Sequence, residues 1–137
     1  MRELLLPLFV QVALTFALLV MMGSSRASAL RSGNLKLGEI ALRQPAWPAR
    51  TTQIANCYHN QLEVPILFYA VVILTIITKS YATPMVELAW AFVATRLLHA
   101  FIHITRNNVM RRFYAFLAGV LILLAMWILL ATRVLIS

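Results

Sequence analysis

Charge is what this chain has least of. Only 12% of its 137 residues are Asp, Glu, Lys or Arg, against 62% hydrophobic, with a mean hydropathy of +0.85. A soluble domain carries about 25% charged residues, so a water-facing globular fold is excluded for the bulk of the chain. Cysteine is almost missing as well. Cys57 stands alone, no intramolecular disulfide is available, and the expected place for its side chain is a small buried apolar site. There is no low-complexity tract and no internal repeat. A soluble domain and a basic groove lined with base-stacking aromatics are also lacking, which argues against nucleic acid as the partner of the +8 net charge.

Long apolar runs are what the sequence has in abundance. Four of them predict helices near 4–22, 54–78, 85–105 and 112–136, each close to or above the ~20 residues that cross a bilayer. The expectation is an all-α integral membrane four-helix bundle, one domain over residues 1–137, with a single long loop over 23–53. Arg2, the first run and Ala27-Ser28-Ala29 imitate a signal peptide with its cleavage site. A signal h-region is only ~7–15 residues, however, so a retained helix is expected, with Pro7 tolerated in its first turns.

Basic residues set the orientation. Arg26, Arg31, Lys36, Arg43 and Arg50 lie between the first two runs and Arg106, Arg111 and Arg112 between the last two, eight in all, whereas Arg2, Lys79 and Arg133 fall on the opposite side. The positive-inside rule then places both basic loops in the cytoplasm and both termini outside it. Attraction to anionic membrane lipids follows as a secondary effect. Leu30, Leu35, Leu37, Ile40 and Leu42, set among positive charges, predict a loop lying on the membrane surface. Gln44-Pro45-Ala46-Trp47-Pro48 predicts extended backbone with Trp47 at headgroup depth.

Two polar stripes interrupt the apolar runs. Asn56, His59, Asn60 and Glu63 occupy one, and Arg96, His99 and His103 the other, each at the i, i+3, i+4, i+7 spacing of one helical face. Ionisable groups in hydrocarbon are expensive, so these residues are expected to face protein or water. Antiparallel neighbours bring both stripes to the same depth near the basic loops. A Glu63–Arg96 ion pair is feasible there, either as a structural pair fixing helix register or beside a bound ligand.

The order Asn60-x-x-Glu63-x-Pro65, then Arg96-x-x-His99, then a basic start to the fourth helix resembles the MAPEG family, the membrane-associated proteins in eicosanoid and glutathione metabolism. Arg96-Leu-Leu-His99-Ala-Phe-Ile-His103 followed by Asn108-Val109 and Arg112 looks like its prokaryotic branch. The resemblance implies a homotrimer in a bacterial inner membrane, with glutathione held between subunits at the cytoplasmic side. It implies transferase or peroxidase chemistry on lipophilic electrophiles, with Asn60 and Glu63 holding the glutathione backbone, Glu63 through the γ-glutamyl ammonium. The sequence departs from the family at Asn56, where an Arg is common, and at His99 and His103, where the eukaryotic enzymes carry tyrosines.

Residue chemistry suggests how such a pocket would act. Nucleophilic attack needs a thiolate, and Arg111 or Arg112 beside the positive end of the fourth helix is expected to favour one. Arg50, Arg106 and Asn108 are candidates for carboxylates at the rim, and Tyr114 and Tyr69 for further hydrogen bonds. The plainer role of the arginines is as topology anchors. A metal site from the pairs His59/Glu63 and His99/His103 is a weaker alternative, since Arg96 would crowd the cation and no third carboxylate completes a di-iron set. The remaining alternative is a non-catalytic scaffold whose polar stripes only bind helices together or hold lipid or partner helices. Gly119 predicts a close helix contact, Trp90 and Trp127 lipid-facing or belt aromatics, and Glu87 an interfacial charge near Lys79 or Arg133.

Overall fold

The computed structural model describes residues 2–33, 35–41 and 47–136. Among them the secondary structure is helical throughout: α1 (Arg2–Arg31), α2 (Leu37–Ile40), α3 (Ala49–Asn60), α4 (Val64–Ile77), α5 (Thr83–Ile104) and α6 (Val109–Leu135). Four spans are long and apolar enough to cross a membrane: α1, α3 with α4, α5 and α6. They alternate in direction. The start of α3 meets the end of α5, where Arg50 donates to the Ile104 carbonyl, and the start of α1 borders the α4–α5 turn, where Glu3 and Leu4 share a recess with Tyr81.

Four boundaries differ from the sequence expectation, the smallest being the start of α6 at Val109 rather than near residue 112. α1 does not stop near Met22 but runs to Arg31, because Gly23 and the serines after it do not break the helical ladder. Ser24 donates back to the Met21 carbonyl and Ser32 to Ala29, and the helix ends at Gly33, whose φ of +73° costs glycine little. At ~1.5 Å per residue α1 outruns a bilayer core of ~30 Å. Its extra turns are tied to α3 and the residues just before it, with Ser25 Oγ 2.8 Å from Thr51 Oγ1 and the Arg26 guanidinium 5.2 Å from the Trp47 ring centre. The 23–53 stretch therefore holds helix at both ends, and in α2 a single exposed turn. Most of the extended backbone expected at Gln44–Pro48 lies outside the described residues, as do Leu42 and Arg43.

The third difference is the largest: the span expected over 54–78 is two helices, broken at Gln61–Glu63. Pro65 is the cause. It has no N–H to give the Gln61 carbonyl, and its ring collides with that carbonyl in a continuous helix. The last turn of α3 tightens instead, Gln61 N–H bonding Tyr58 O and Leu62 N–H bonding His59 O, both at 2.9 Å.

The apolar core is built mainly where α4, α5 and α6 meet α1. Phe68 and Phe92 stack with ring centres 4.6 Å apart, and Leu4, Met85, Leu123 and Met126 close around them. Cys57 is fully buried beside Ala100, as a small core residue should be. α5 packs most extensively on α6, and the close approach expected at Gly119 is there. A Cβ on Gly119 would lie 2.8 Å from Thr95 Oγ1, which is itself held by a 2.6 Å bond to the Phe92 carbonyl. Gly119→Ala should therefore destabilise the protein by ~1–3 kcal/mol, read as a lower unfolding temperature in detergent, and Thr95→Ala in the same chain should recover most of the loss. An unchanged midpoint for the single variant would mean that the helices separate freely at this point.

Candidate functional site

The helix break leaves polar backbone inside a membrane span, where every unpaired carbonyl is costly. Gln61 and Arg96 answer this. Gln61 Nε2 donates to the Cys57 carbonyl at 3.2 Å, while Arg96 Nη2 reaches the Asn60 carbonyl at 3.3 Å, Gln61 Oε1 at 3.5 Å and, closest of all, Asn60 Oδ1. Gln11 of α1 completes the set by donating to Gln61 Oε1 at 3.1 Å. Arg96 is only 1% exposed. Its long side chain comes from α5, so one guanidinium joins the broken span to a second helix, and Gln11 joins both to a third.

The Glu63–Arg96 pairing raised by the sequence is replaced by this arrangement. Glu63 sits at the N-cap of α4, beyond the break, and is exposed. The stripe Asn56–Glu63 is not one continuous helical face, because the helix ends between Asn60 and Glu63.

The break also aims α3. While α4 packs on α6 and α1, α3 packs on α1 and α5, and the space left between α3, α5 and α6 is a cleft of about 430 Å³, within the usual range of ligand sites. Asn56, His59, Asn60 and Glu63 line one side, His99 and His103 the back, and Arg112 the other side with an apolar wall of Val109, Phe113 and Phe116. The two buried imidazoles stand edge to face, 5.6 Å between centres, and His99 lies 6.1 Å from the Phe116 ring. Their Nδ1 atoms are buried without hydrogen-bond partners, as are Nε and Nη1 of Arg96 behind them. Arg112 is half-buried and oriented by a 2.8 Å bond from Nη1 to Asn107 Oδ1.

The remaining candidates point elsewhere. Arg50 spends its guanidinium on the Ile104 carbonyl, capping the end of α5. Arg111 is one residue, hence about 100°, around α6 from Arg112, and it lines a second recess on the far side of the α5–α6 turn with Arg106 and Asn108. Tyr114, three residues on, shares that outer face and is 61% exposed. Tyr69 packs against the apolar core. Among the described residues, no three His, Cys or acidic side chains gather as a metal site would require.

The residue model of the MAPEG family matches residues 4–132. The chain is a member of the MAPEG family. No curated protein and no solved structure matches it. In this MAPEG protein the cleft gathers motif residues from three helices, but three contributions were not foreseen in the sequence. Gln61 and Gln11 are one: Gln61 was legible as the residue four before Pro65, whose carbonyl a proline must orphan. The apolar wall is another, since Val109, Arg112, Phe113 and Phe116 follow the i, i+3, i+4, i+7 spacing of the polar stripes. The last is the separation of Arg111 from Arg112.

Arg96→Met should strand the Asn60 carbonyl and the Asn60 side-chain oxygen. Each unsatisfied buried group costs ~1–3 kcal/mol, so a large fall in unfolding temperature is expected, whereas Arg111→Met should stay within ~0.5 kcal/mol of the parent. Equal midpoints for the two variants, measured in the same detergent, would show that Arg96 does not hold the break.

Proposed function

We propose that this MAPEG protein binds glutathione in the α3–α5–α6 cleft and uses its thiolate on lipophilic electrophiles, as a transferase or peroxidase. The observation that carries the reading is the content of the one cleft: a carboxylate (Glu63), an amide (Asn60) and a guanidinium (Arg112) face a common space with an aromatic wall beside them. Glu63 suits the γ-glutamyl ammonium, and Asn56, Asn60 and His59 suit the peptide's carbonyls and carboxylates. Arg112, in the first turn of α6, adds its charge to the positive end of that helix, and a thiolate is favoured next to both. In the transfer step the S–H proton goes to solvent, the sulfur lone pair forms the new C–S bond, and the leaving group departs with its bonding pair. Phe113, Phe116 and Val109 offer the apolar surface on which the lipophilic partner would lie.

We further propose that the open side of the cleft is closed by neighbouring copies in a homotrimer, and that the basic end faces the cytoplasm. Arg31, Arg50, Arg106, Arg111 and Arg112 cluster at the same end of the bundle as the cleft mouth, which is where cytoplasmic glutathione would enter. A second reading has one observation in its favour. Asn60 Oδ1 is already engaged by Arg96, so the polar set has a purely structural role available to it, as a scaffold protein would need.

A glutathione titration of the purified protein separates the two. The enzyme reading expects saturable binding with a thiolate absorbance at neutral pH, and Arg112→Ala should lose that absorbance and lower the rate tenfold for each ~1.4 kcal/mol of stabilisation removed. Arg111→Ala should behave as the parent. Absence of binding at millimolar glutathione would leave the scaffold reading in its place.

For the orientation, a reporter active only in the cytoplasm, fused after Ser137, should be silent. Strong activity would put the cleft mouth on the other side of the membrane, away from cytoplasmic glutathione.

A further inference from the structure

A second recess, of about 380 Å³, opens on the side of the α5–α6 turn away from the cleft, lined by Phe101, Ile102, Thr105, Arg106, Asn108 and Arg111. Its chemistry is divided. At the end of the span stand two guanidinium groups, Arg106 and Arg111, both exposed and, among the described residues, without a side-chain hydrogen bond or carboxylate partner. Asn108 caps the Arg111 N–H at 3.0 Å, and the positive end of the α6 dipole lies beside the recess. Toward the middle of the span the recess is apolar, with Phe101 63% exposed.

The apolar character continues along both helices. On α5 the same face carries Leu98, Ala94 and Trp90 below Phe101, and on α6 Tyr114, Leu117 and Leu121 follow Arg111, all of them exposed. A pair of free cations at headgroup depth, above an uninterrupted strip of hydrocarbon-facing side chains, fits one kind of molecule: an anionic headgroup with acyl chains attached. Basic recesses between membrane helices at the cytoplasmic side are suited to acidic phospholipids for this reason. A soluble anion would use only the upper half of the recess. Arg111 and Arg112, adjacent in sequence but about 100° apart around α6, thus border different recesses.

We propose that the recess formed by Arg106, Arg111 and the Phe101 face of α5 is a binding site for an anionic phospholipid, its phosphate between the two guanidinium groups and an acyl chain along the α5–α6 groove. The site is independent of the cleft and of the glutathione reading, since the two share no lining residue.

The test uses the full chain in detergent micelles, titrated with phosphatidylglycerol or phosphatidylcholine, with bound lipid counted by native mass spectrometry. Saturable retention of phosphatidylglycerol over phosphatidylcholine is expected, and the double variant Arg106→Gln/Arg111→Gln should weaken it by about tenfold or more. A control pair, Arg31→Gln/Lys36→Gln, removes the same charge from the same end of the molecule and should leave retention unchanged. Excess inorganic phosphate should not displace the lipid. Equal loss in both double variants would reduce the effect to diffuse charge, displacement by phosphate would remove the acyl half, and a change of oligomeric state in the Arg106/Arg111 variant with lipid retention unchanged would make this face a contact between copies. Any of these three results overturns the proposal.

Discussion

The guanidinium of Arg96 is the fastening on which the rest of this protein depends. Pro65 forces a break in a membrane span, and a break exposes carbonyls that hydrocarbon cannot satisfy. One nitrogen of that cation, Nη2, supplied by a neighbouring helix, meets the Asn60 carbonyl, the Asn60 side chain and the Gln61 side chain together. Because the break is stable, α4 can lean on α6 while α3 stays on α1 and α5, and the space between α3, α5 and α6 stays open. The polar groups a ligand would meet are thus a consequence of how the fold copes with a proline, not an addition to it.

That arrangement separates two kinds of polar residue that look alike in the sequence. Arg96, Gln61 and Gln11 are buried and face one another, and they hold helices. Asn56, His59 and Glu63 are exposed on the cleft wall and Arg112 stands half-buried opposite them, so their donors and acceptors remain available for something from outside. Asn60 belongs to both groups, its side-chain oxygen on Arg96 while its position borders the cleft. His99 and His103 form the boundary, lining the cleft but with buried Nδ1 atoms.

Much of this was legible in the residues. Apolar run length located all four spans, and helical spacing picked out Asn56, His59, Asn60, Glu63, His99 and His103, which the fold does bring to one cleft. The errors have physical causes. Glycine and serine after Met22 read as a terminus, yet neither prevents helix when the backbone ladder is unopposed. Glu63 looked like the partner of Arg96 because opposite charges attract, but the freed Asn60 carbonyl and the side-chain oxygens of Asn60 and Gln61 take its donor instead. Arg111 and Arg112 could not be told apart by composition or charge, only by the 100° that separates consecutive residues on a helix whose start was placed three residues late.

The central claim is that a glutathione-like ligand occupies the α3–α5–α6 cleft. Two neighbours on α6 test it directly: Phe113, which lines the cleft, and Tyr114, which faces away. Each is replaced by cysteine in a Cys57→Ala background, and the rate of labelling by a water-soluble maleimide is measured with and without an S-alkyl glutathione, which has no thiol of its own to react. The account predicts saturable protection at position 113 and none at 114. Equal protection at both, or none at either with millimolar ligand, would contradict it.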